Sequence, residues 1–494
     1  HRDCPAMNQS ALDAARATSF KKQKHQIAPQ KAIDLVELSA HSQLVDGLKA
    51  ERACFVDLRN TSQAKALRHM FFAERANRQP RHITCDPVDI STVAVVGGGT
   101  MGAGITYALL NAGLSVVLLE TDNEGVDRAR INIDKIIQAS LDRGLISAEK
   151  EQKIHGCLTI STDYNAARHA NLAIEAAFES MDVKKSIFQS LEAVLPSSAV
   201  LATNTSYLDV NEIAKAIKDT SRVVGLHFFA PAHIMKLLEI VKGHTTSDQA
   251  IATGFAMAKT LGKIPVLAGV CDGFIGNRIL QRYREAADGL LLDGTNPWEL
   301  DEAMEAFGYA MGPYEAQDLS GLDIAYANRQ RQAPTRDPNR RYVLISDRMV
   351  QEGRLGKKVS VGWYRYPGGN GKVIDPLVED LVREESHFAK VTRQEFSDSD
   401  IQHRLLLAMI NEAADILHEG IAHSATDIDL VTVFGYGFPR WRGGLMHYAD
   451  SIGAQKIFSD LQALAKEDPI VWKPSALIKE CAETNTNLSD WSKP

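Results

Sequence analysis

The sequence predicts an α/β domain built on a parallel sheet, preceded by a helical arm and followed by a duplicated all-α region. Three observations support this fold class. Short β-rich runs alternate with helical patterns between residues 90 and 271, a glycine-rich turn follows the first run, and two short motifs recur at one offset in the C-terminal half. A length of 494 residues is compatible with about three domains.

Composition and charge exclude several classes of protein. Hydrophobic residues make up 45% and charged residues 24%, as in average soluble domains, which excludes a disordered, collagen-like or coiled-coil chain. The net charge of −7 gives no reason to expect a nucleic-acid partner. The six cysteines show no C-x-x-C spacing, so we expect no metal site and no disulfide framework, and a reducing compartment.

The longest uncharged segment, Ile90 to Leu119, has the length of a membrane span. Six of its thirty residues are glycines, four of them between two β-branched runs. This pattern predicts strand, glycine turn, helix and strand, so we expect no membrane insertion.

Residues 1–87 are predicted to form a helical arm. One helix face is indicated by apolar residues three and four apart: Ile33, Val36, Ala40, Leu44 and Leu48. A second helix is predicted to begin near Asn60–Thr61, which are good N-caps, and to end before Pro80. The apolar stripes of these helices are interpreted as core or interface.

Residues 88–271 alternate predicted strands with predicted helices. The strand runs are VAVVG, VVLLE, LAIEA, AVLAT, VVGLHFF and IPVLAG. Such alternation is typical of parallel strands joined by crossover helices.

The motif Gly97-x-Gly99-x-x-Gly102 directly follows the first strand and opens a helix predicted from Met101 to Asn111. In this context the glycines permit a tight turn, approach of a pyrophosphate and close helix packing, which is the Rossmann dinucleotide-binding pattern. The next strand ends at Glu120, where a carboxylate accepts hydrogen bonds from ribose hydroxyls and repels a 2′-phosphate. The predicted cofactor is therefore NAD and not NADP.

The C-terminal half contains an internal repeat. Glu285–Asp288 recurs as Glu412–Asp415, and Phe307–Tyr309 recurs as Phe434–Tyr436, with the same offset of 127 residues. We predict two copies of one helical domain, at residues 272–375 and 376–494. The segment from Tyr364 to Pro376 is the expected hairpin or linker.

The run from Val223 to Val241 contains the candidate acid–base chemistry. Two apolar strands flank an Ala-Pro turn, with His227 on the first strand and Glu239 on the second. A hairpin can bring them together, and a carboxylate beside an imidazole fixes its tautomer. From spacing alone, a histidine among Leu, Phe and Phe is more often a core residue than a catalytic one, and His233 in the turn is a rival candidate.

The run HFFAPAHIMKLLEIV, with NTSYL upstream and DGFIGNRIL downstream, resembles the 3-hydroxyacyl-CoA dehydrogenase family, and within it the multifunctional fatty-acid β-oxidation enzymes. The resemblance covers residue 88 to the end. It implies His227 as general base, Glu239 as its partner, and Ser206 and Asn277 as further catalytic residues. Cofactor contacts are implied at Gly97, Gly99, Thr100, Met101, Gly102, Glu120, Glu179 and Lys184.

The resemblance implies NAD-dependent oxidation of an L-3-hydroxyacyl-CoA in the cleft between the nucleotide domain and the helical repeat. Three alternatives stay open. They are another hydroxy-acid dehydrogenase of similar architecture, which would need an active-site lysine, a catalytically idle NAD-binding or structural protein, and a partner subunit or scaffold, which the helical arm at residues 1–85 suggests. In single-function relatives the helical domain forms the dimer interface. A second copy within one chain therefore suggests a monomer, with a thiolase or hydratase as a further partner.

Residues 1–85 resemble only the last helices of a hydratase domain and its linker, so we expect no enoyl-CoA hydratase activity in this chain. The last three residues, Ser-Lys-Pro, differ from the peroxisomal Ser-Lys-Leu signal. A cytoplasmic location is therefore expected.

Overall fold

Four helices form the N-terminal arm of the computed structural model, which describes residues 8–79, 83–369 and 371–491. They are α1 (Gln9–Lys22), α2 (Ile27–Ser39), α3 (Leu44–Asn60) and α4 (Ser62–Ala76). Thr61 caps α4 by accepting a hydrogen bond from the Ala64 amide, so the helix predicted to begin near residue 61 is confirmed.

The helix face predicted from Ile33 to Leu48 is wrong as one continuous helix. The chain leaves helical geometry after Ser39, and Gln43 is extended before α3 begins. The apolar side chains are also not core in the described residues, because Val36 is 58% and Leu44 76% exposed. The apolar spacing of three and four residues continues across the short loop between α2 and α3. Periodicity alone therefore does not reveal that the helix is interrupted there.

Eight strands form the central sheet. They are β1 (Thr92–Val96), β2 (Ser115–Leu119), β3 (Leu158–Ser161), β4 (Leu172–Glu175), β5 (Val200–Thr203), β6 (Val223–Phe228), β7 (Leu237–Lys242) and β8 (Ile264–Gly269). Their spatial order is 3-2-1-4-5-6-7-8, with parallel pairing throughout except between β6 and β7. The Rossmann-type fold class is therefore confirmed, and the predicted hairpin of β6 and β7 is present.

Two details of the sheet differ from the sequence prediction. Strand β8 pairs in parallel with β7 and so runs against the first six strands. Strand β3 was not predicted because its short sequence, LTIS, mixes polar and apolar residues at a sheet edge. Central strands β4 and β5 are buried at every residue, as expected where helices cover both faces.

Helices connect these strands and cover both faces of the sheet. They are α5 (Thr100–Asn111), α6 (Asn123–Asp142), α7 (Ala148–Gly156), α8 (Met181–Val194), α9 (Val210–Ala214) and α10 (Asp248–Thr260). The helix predicted to follow the glycine turn is α5.

After β8, the regular elements of the described residues are helices and a small hairpin. The helices are α11 (Gly276–Asp293), α12 (Pro297–Phe307), α13 (Pro313–Ser320), α14 (Leu322–Gln332), α15 (Ile345–Gln351), α16 (Pro376–Phe388), α17 (Asp398–Glu419), α18 (Ala425–Tyr436), α19 (Leu445–Ile452), α20 (Ala454–Leu464) and α21 (Ala476–Thr484). The hairpin pairs β9 (Tyr364–Arg365) with β10 (Val373–Ile374), inside the predicted hairpin segment. Across the described ranges, none of the helices combines the length and the apolar character that a membrane crossing requires.

In both helical parts, a buried aspartate on one helix accepts hydrogen bonds from amides in the first turn of a following helix. Asp301 in α12 accepts hydrogen bonds from the amides of Tyr314 and Glu315 in the first turn of α13. Asp429 in α18 accepts hydrogen bonds from the amides of Met446 and His447 in the first turn of α19. A buried carboxylate thus satisfies amides that a helix start leaves unpaired. The domain boundaries given above stay predictions.

The arm is attached to the second helical part and to the sheet. His69 Nε2 of α4 lies 2.8 Å from Asp429 Oδ2, and the His69 ring stacks on His447 at 4.6 Å. Asn77 donates a hydrogen bond to the Pro265 carbonyl of β8 at 2.9 Å. Helix α4 is therefore held at its middle and just after its C-terminal end.

Burial of Asp301 predicts a pH-dependent stability. The Asp301 carboxyl is fully buried, and desolvation raises its pKa to about 7 despite hydrogen bonds from Tyr314 and Tyr364. Because this value lies above that of the unfolded chain, the group favours folding progressively as pH falls from about 7 toward 4. An Asp301→Asn variant lacks this contribution. As the pH is lowered from 7.5 to 4.5, the unfolding free energy of wild type should gain ~3 kcal/mol over that of the variant. Urea titrations at the two pH values measure this difference. A stability difference independent of pH would contradict the assignment.

Candidate active site

The glycine turn after β1 has the geometry that its sequence predicts. Gly97 adopts φ +97°, and a Cβ there would lie 2.9 Å from the Ala176 carbonyl oxygen. A Cβ on Gly102 would lie 1.8 Å from the Gly97 carbonyl oxygen, so this position requires glycine for helix α5 to pack on the turn. A Cβ on Gly99, in contrast, meets no atom within 4 Å. The open side of Gly99 lies at the start of α5.

These residues fit the pyrophosphate of a dinucleotide. Gly99 is the N-cap of α5 without any side-chain cap, so the amides that follow at Thr100 and Met101 begin the helix facing the open side. At the end of β2, Glu120 Oε1 accepts a hydrogen bond from the Gly98 amide at 2.5 Å, which holds the carboxylate across the turn. Gly98 has no predicted role in the motif, yet a Cβ added there would lie 2.2 Å from the Cβ of Ala129 in α6.

A buried ionic network lies at the carboxyl ends of β4 and β5. Lys184, 1% exposed, places Nζ at 2.7 and 2.9 Å from the two carboxylate oxygens of Glu175 and at 3.2 Å from Glu179 Oε2. Glu175 also accepts a hydrogen bond from the Thr203 hydroxyl at 2.7 Å. Sequence reasoning missed Glu175, although an acid that ends a buried strand was the signal used for Glu120.

Glu179 organises the loop that follows β5. Its Oε1 accepts hydrogen bonds from the Thr205 hydroxyl and from the amides of Ser206 and Tyr207. Burial alone would raise the pKa of Glu179, but the Lys184 charge and these hydrogen bonds outweigh it and lower the pKa below its ordinary value. The structure therefore brings Glu179, Lys184 and Ser206 together.

The antiparallel register of β6 and β7 places His227 directly opposite Glu239. His227 Nδ1 lies 2.6 Å from Glu239 Oε2, and the two side chains are 4% and 0% exposed. The rings of Phe229 and Phe274 flank the imidazole at 4.6 and 5.6 Å. His227 is therefore a buried histidine with a carboxylate partner at one ring nitrogen.

Glu239 also connects the sheet to the helical region. Its Oε1 accepts hydrogen bonds from the amides of Ile275 and Gly276, at 3.2 and 2.9 Å, where α11 begins. Gly276 packs against Phe229 so closely that a Cβ would lie 2.8 Å from that ring. One carboxylate thus holds both the histidine and the start of the helix that carries Asn277.

Ser206 and Asn277 lie on different elements. Ser206 follows β5, and its hydroxyl makes no hydrogen bond within the described residues. Asn277 lies in the first turn of α11 and lines a cavity of about 560 Å³ that also contacts Tyr207. Asn204, which sequence analysis did not select, accepts a hydrogen bond from the Phe228 amide and ties this loop to β6.

The rival histidine, His233, lies apart from the dyad. It is in the β6–β7 connection beside α5. Its ring makes a T-shaped contact with the Tyr107 ring, and the two ring centres are 5.7 Å apart. Burial and the nearby Lys263 charge lower the pKa of His233. No carboxylate partner is found for it among the described residues.

Two family models match the chain. The model of the 3-hydroxyacyl-CoA dehydrogenase NAD binding domain matches residues 92–271, and that of the 3-hydroxyacyl-CoA dehydrogenase C-terminal domain matches residues 273–366 and 401–488. The chain belongs to the 3-hydroxyacyl-CoA dehydrogenase family. As a member of this family it is an NAD-dependent oxidoreductase, as the sequence predicted.

Similar proteins include peroxisomal bifunctional enzymes. The enzyme of Cavia porcellus is 35% identical, and the match covers 99% of this chain and 70% of the relative. The enzyme of Danio rerio is 35% identical, and the match covers 97% of this chain and 68% of the relative. Among solved structures, 3-hydroxybutyryl-CoA dehydrogenase of Escherichia coli is 28% identical with a TM-score of 0.70, covering 80% of this chain and 99% of that one. The dehydrogenase part of multifunctional enzyme 1 from Caenorhabditis elegans is 29% identical with a TM-score of 0.63, covering 83% and 96%.

The expected cytoplasmic location is wrong. Relatives in animals and plants are named as peroxisomal or glyoxysomal proteins. The expectation depended on residues 492–494, which lie outside the described residues. A targeting signal is recognised by a receptor, and its absence from the last three residues of a sequence excludes no organelle.

The two glycines at the cofactor turn give a matched pair of predictions. Gly99→Ala places its methyl group in open space, so stability should change by about 1 kcal/mol or less while NADH affinity falls about tenfold. Gly102→Ala forces a clash with the Gly97 carbonyl and should lower the unfolding free energy by ~1–3 kcal/mol. Fluorescence titration with NADH and urea unfolding separate the two effects. Unchanged NADH affinity in Gly99→Ala would contradict the placement of the pyrophosphate.

Proposed function

We propose that His227 is the general base that removes the proton from the C3 hydroxyl of an L-3-hydroxyacyl-CoA. The observation that carries this proposal is the 2.6 Å contact between His227 Nδ1 and Glu239 Oε2. With Nδ1–H donated to the carboxylate, Nε2 is left as the unprotonated nitrogen that can accept the hydroxyl proton. NAD, when bound, accepts the hydride from C3.

Glu239 stabilises the imidazolium that His227 becomes when it takes the proton. The pair is almost fully buried, so the attraction between the two charges is weakly screened by water. The flanking Phe229 and Phe274 rings restrict the imidazole to one orientation. In the reverse direction the same histidine returns the proton to the carbonyl oxygen.

Ser206 and Asn277 are proposed to orient the reacting oxygen. The Ser206 amide is fixed by Glu179, which places its hydroxyl at the carboxyl end of β5, and Asn277 is fixed because Glu239 holds the start of α11. Thr100, Met101, Glu120 and the Glu179–Lys184 pair are proposed as the residues around the cofactor. Lys184 is engaged by two carboxylates, so we assign it the role of holding Glu179 in place.

The reaction is proposed to serve fatty-acid β-oxidation in a peroxisome or glyoxysome. The support is the naming of relatives such as the peroxisomal fatty acid beta-oxidation multifunctional protein of Oryza sativa, 34% identical over 97% of this chain. The proposed product is a 3-ketoacyl-CoA.

The dyad predicts a large and specific effect of replacing His227. His227→Gln should lower kcat for reduction of acetoacetyl-CoA by NADH by about 10²–10⁴-fold, because the general acid–base group is lost while the fold is kept. NADH affinity should stay at the wild-type value. His233→Gln, a histidine in the neighbouring loop without a carboxylate partner in the described residues, is the control and should keep wild-type turnover. Normal turnover by His227→Gln would exclude the proposed base.

We further propose that the chain is a monomer. Helix α17 of the second helical part packs along α11 of the first, and Arg278 next to Asn277 donates to both Glu412 and Glu419 of α17. The second part thus covers the helix that carries Asn277, as a partner subunit would.

Sedimentation equilibrium tests the oligomeric state. A single species of 54.2 kDa is expected across protein concentrations, because the face of α11 is already occupied within the chain. A species of twice that mass at every concentration would contradict the proposal.

A further inference from the structure

The 560 Å³ cavity extends from the catalytic region along one face of α11. Among the residues of this helix that line it are Asn277, Gln281, Arg284 and Asp288, with spacings of four, three and four. Such spacing places them on one face, with Arg284 about 10 Å from Asn277 along the helix axis. The opposite wall is formed by α14 and by the segment between residues 335 and 343.

The lining of this cavity is rich in arginine. Seven arginines contribute to it: Arg278, Arg282, Arg284, Arg329, Arg336, Arg340 and Arg341. Most are neutralised within the protein. Arg278 and Arg282 contact Glu412, Arg340 contacts Glu285, Arg329 contacts Asp347 and Arg341 contacts Asp293.

Arg284 differs from these residues. Its guanidinium makes no hydrogen bond and no ion pair within the described residues. Burial lowers the pKa of Arg284, yet a guanidinium stays charged at any physiological pH. Arg284 is half-buried and lines the cavity, so its charge can pair with an anionic ligand that enters there.

The other unpaired groups of the lining are also donors. Arg329 Nη2 and Gln317 Nε2 are buried and have no hydrogen-bond acceptor in the described part of the chain. The carboxylates of the lining are already engaged, for example Asp288, which accepts from Tyr314 and Ser346. The cavity therefore offers donors and a positive charge, and an anionic acceptor complements it.

We propose that Arg284 binds an oxyanion of the acyl-CoA substrate, either a phosphate of the coenzyme A moiety or a carboxylate carried by the acyl chain. A guanidinium binds both groups through paired N–H donors. Asn277 at one end of the cavity would meet the reacting part of the substrate, and Arg284 would meet the anion further along α11. This inference rests on the proposed dehydrogenase chemistry at His227.

The test compares Arg284→Leu and Arg284→Lys with wild type in four assays. The substrates are acetoacetyl-CoA, acetoacetyl-pantetheine, which lacks phosphates, 3-hydroxyhexanoyl-CoA and 3-hydroxyadipyl-CoA, which carries a terminal carboxylate. Arg284→Leu should raise KM about tenfold or more for substrates bearing the recognised anion, with kcat at saturation little changed. Arg284→Lys should recover part of the affinity because it keeps the charge.

The pattern of affected substrates identifies the anion. If all three CoA esters lose affinity and the pantetheine ester does not, the anion is a phosphate of coenzyme A. If only 3-hydroxyadipyl-CoA loses affinity, the anion is the acyl carboxylate. An unchanged KM for all four substrates, or an equal rise for all four including acetoacetyl-pantetheine, would overturn the proposal.

A matched control separates local from general charge effects. Arg348→Leu removes an arginine of α15 that is paired with Glu384 and Glu385 and does not line the cavity. It should leave all four KM values unchanged. Failure of the wild-type protein to reduce acetoacetyl-CoA would count against the proposed function. Normal wild-type turnover, together with unchanged KM values in Arg284→Leu, would count against this inference alone.

Discussion

The Glu239 carboxylate is the constraint on which the site depends. One of its oxygens contacts His227 and the other accepts the first amides of α11, so a single fully buried group joins the nucleotide-binding sheet to the helical region. A buried carboxylate is stable only when its lone pairs are satisfied, and here both oxygens are. The orientation of the imidazole and the position of Asn277 therefore depend on the same side chain.

The protein places acids repeatedly at helix starts. Asp301 and Asp429 hold the first turns of α13 and α19, as Glu239 holds that of α11. Each carboxyl group satisfies amides that the helix start leaves unpaired, and at Asp301 and Asp429 these hydrogen bonds offset part of the burial effect that raises the carboxyl pKa. In the helical parts this device fixes neighbouring helices, whereas at Glu239 it fixes a catalytic geometry.

At the carboxyl ends of β4 and β5, each positioning side chain is held in turn by another. Lys184 holds Glu179, Glu179 holds the amide of Ser206, and Asn204 ties the same loop to β6. Asn204 accepts its hydrogen bond from the strand that carries His227. The loop after β5 is thus fixed from both sides before any ligand arrives.

Much of this architecture could be predicted from the sequence, because strands and glycines have local signatures. The turn at Gly97 to Gly102, the hairpin of His227 and Glu239, and the hairpin near Tyr364 all follow from short motifs. Strand β3 lacks a clear pattern, and the break between α2 and α3 preserves the apolar spacing, so both were missed. The hydrogen bonds from the α11 amides to Glu239 and the unpaired Arg284 depend on tertiary contacts that spacing does not encode.

The double role of Glu239 is most directly tested by ¹⁵N NMR on protein labelled at histidine and glycine, comparing wild type with Glu239→Ala. The account predicts that the Nδ1 resonance of His227 and the amide resonance of Gly276 both shift, because each loses the same acceptor. A change at His227 with an unaltered Gly276 amide would contradict the claim that one carboxylate couples the base to the helix carrying Asn277.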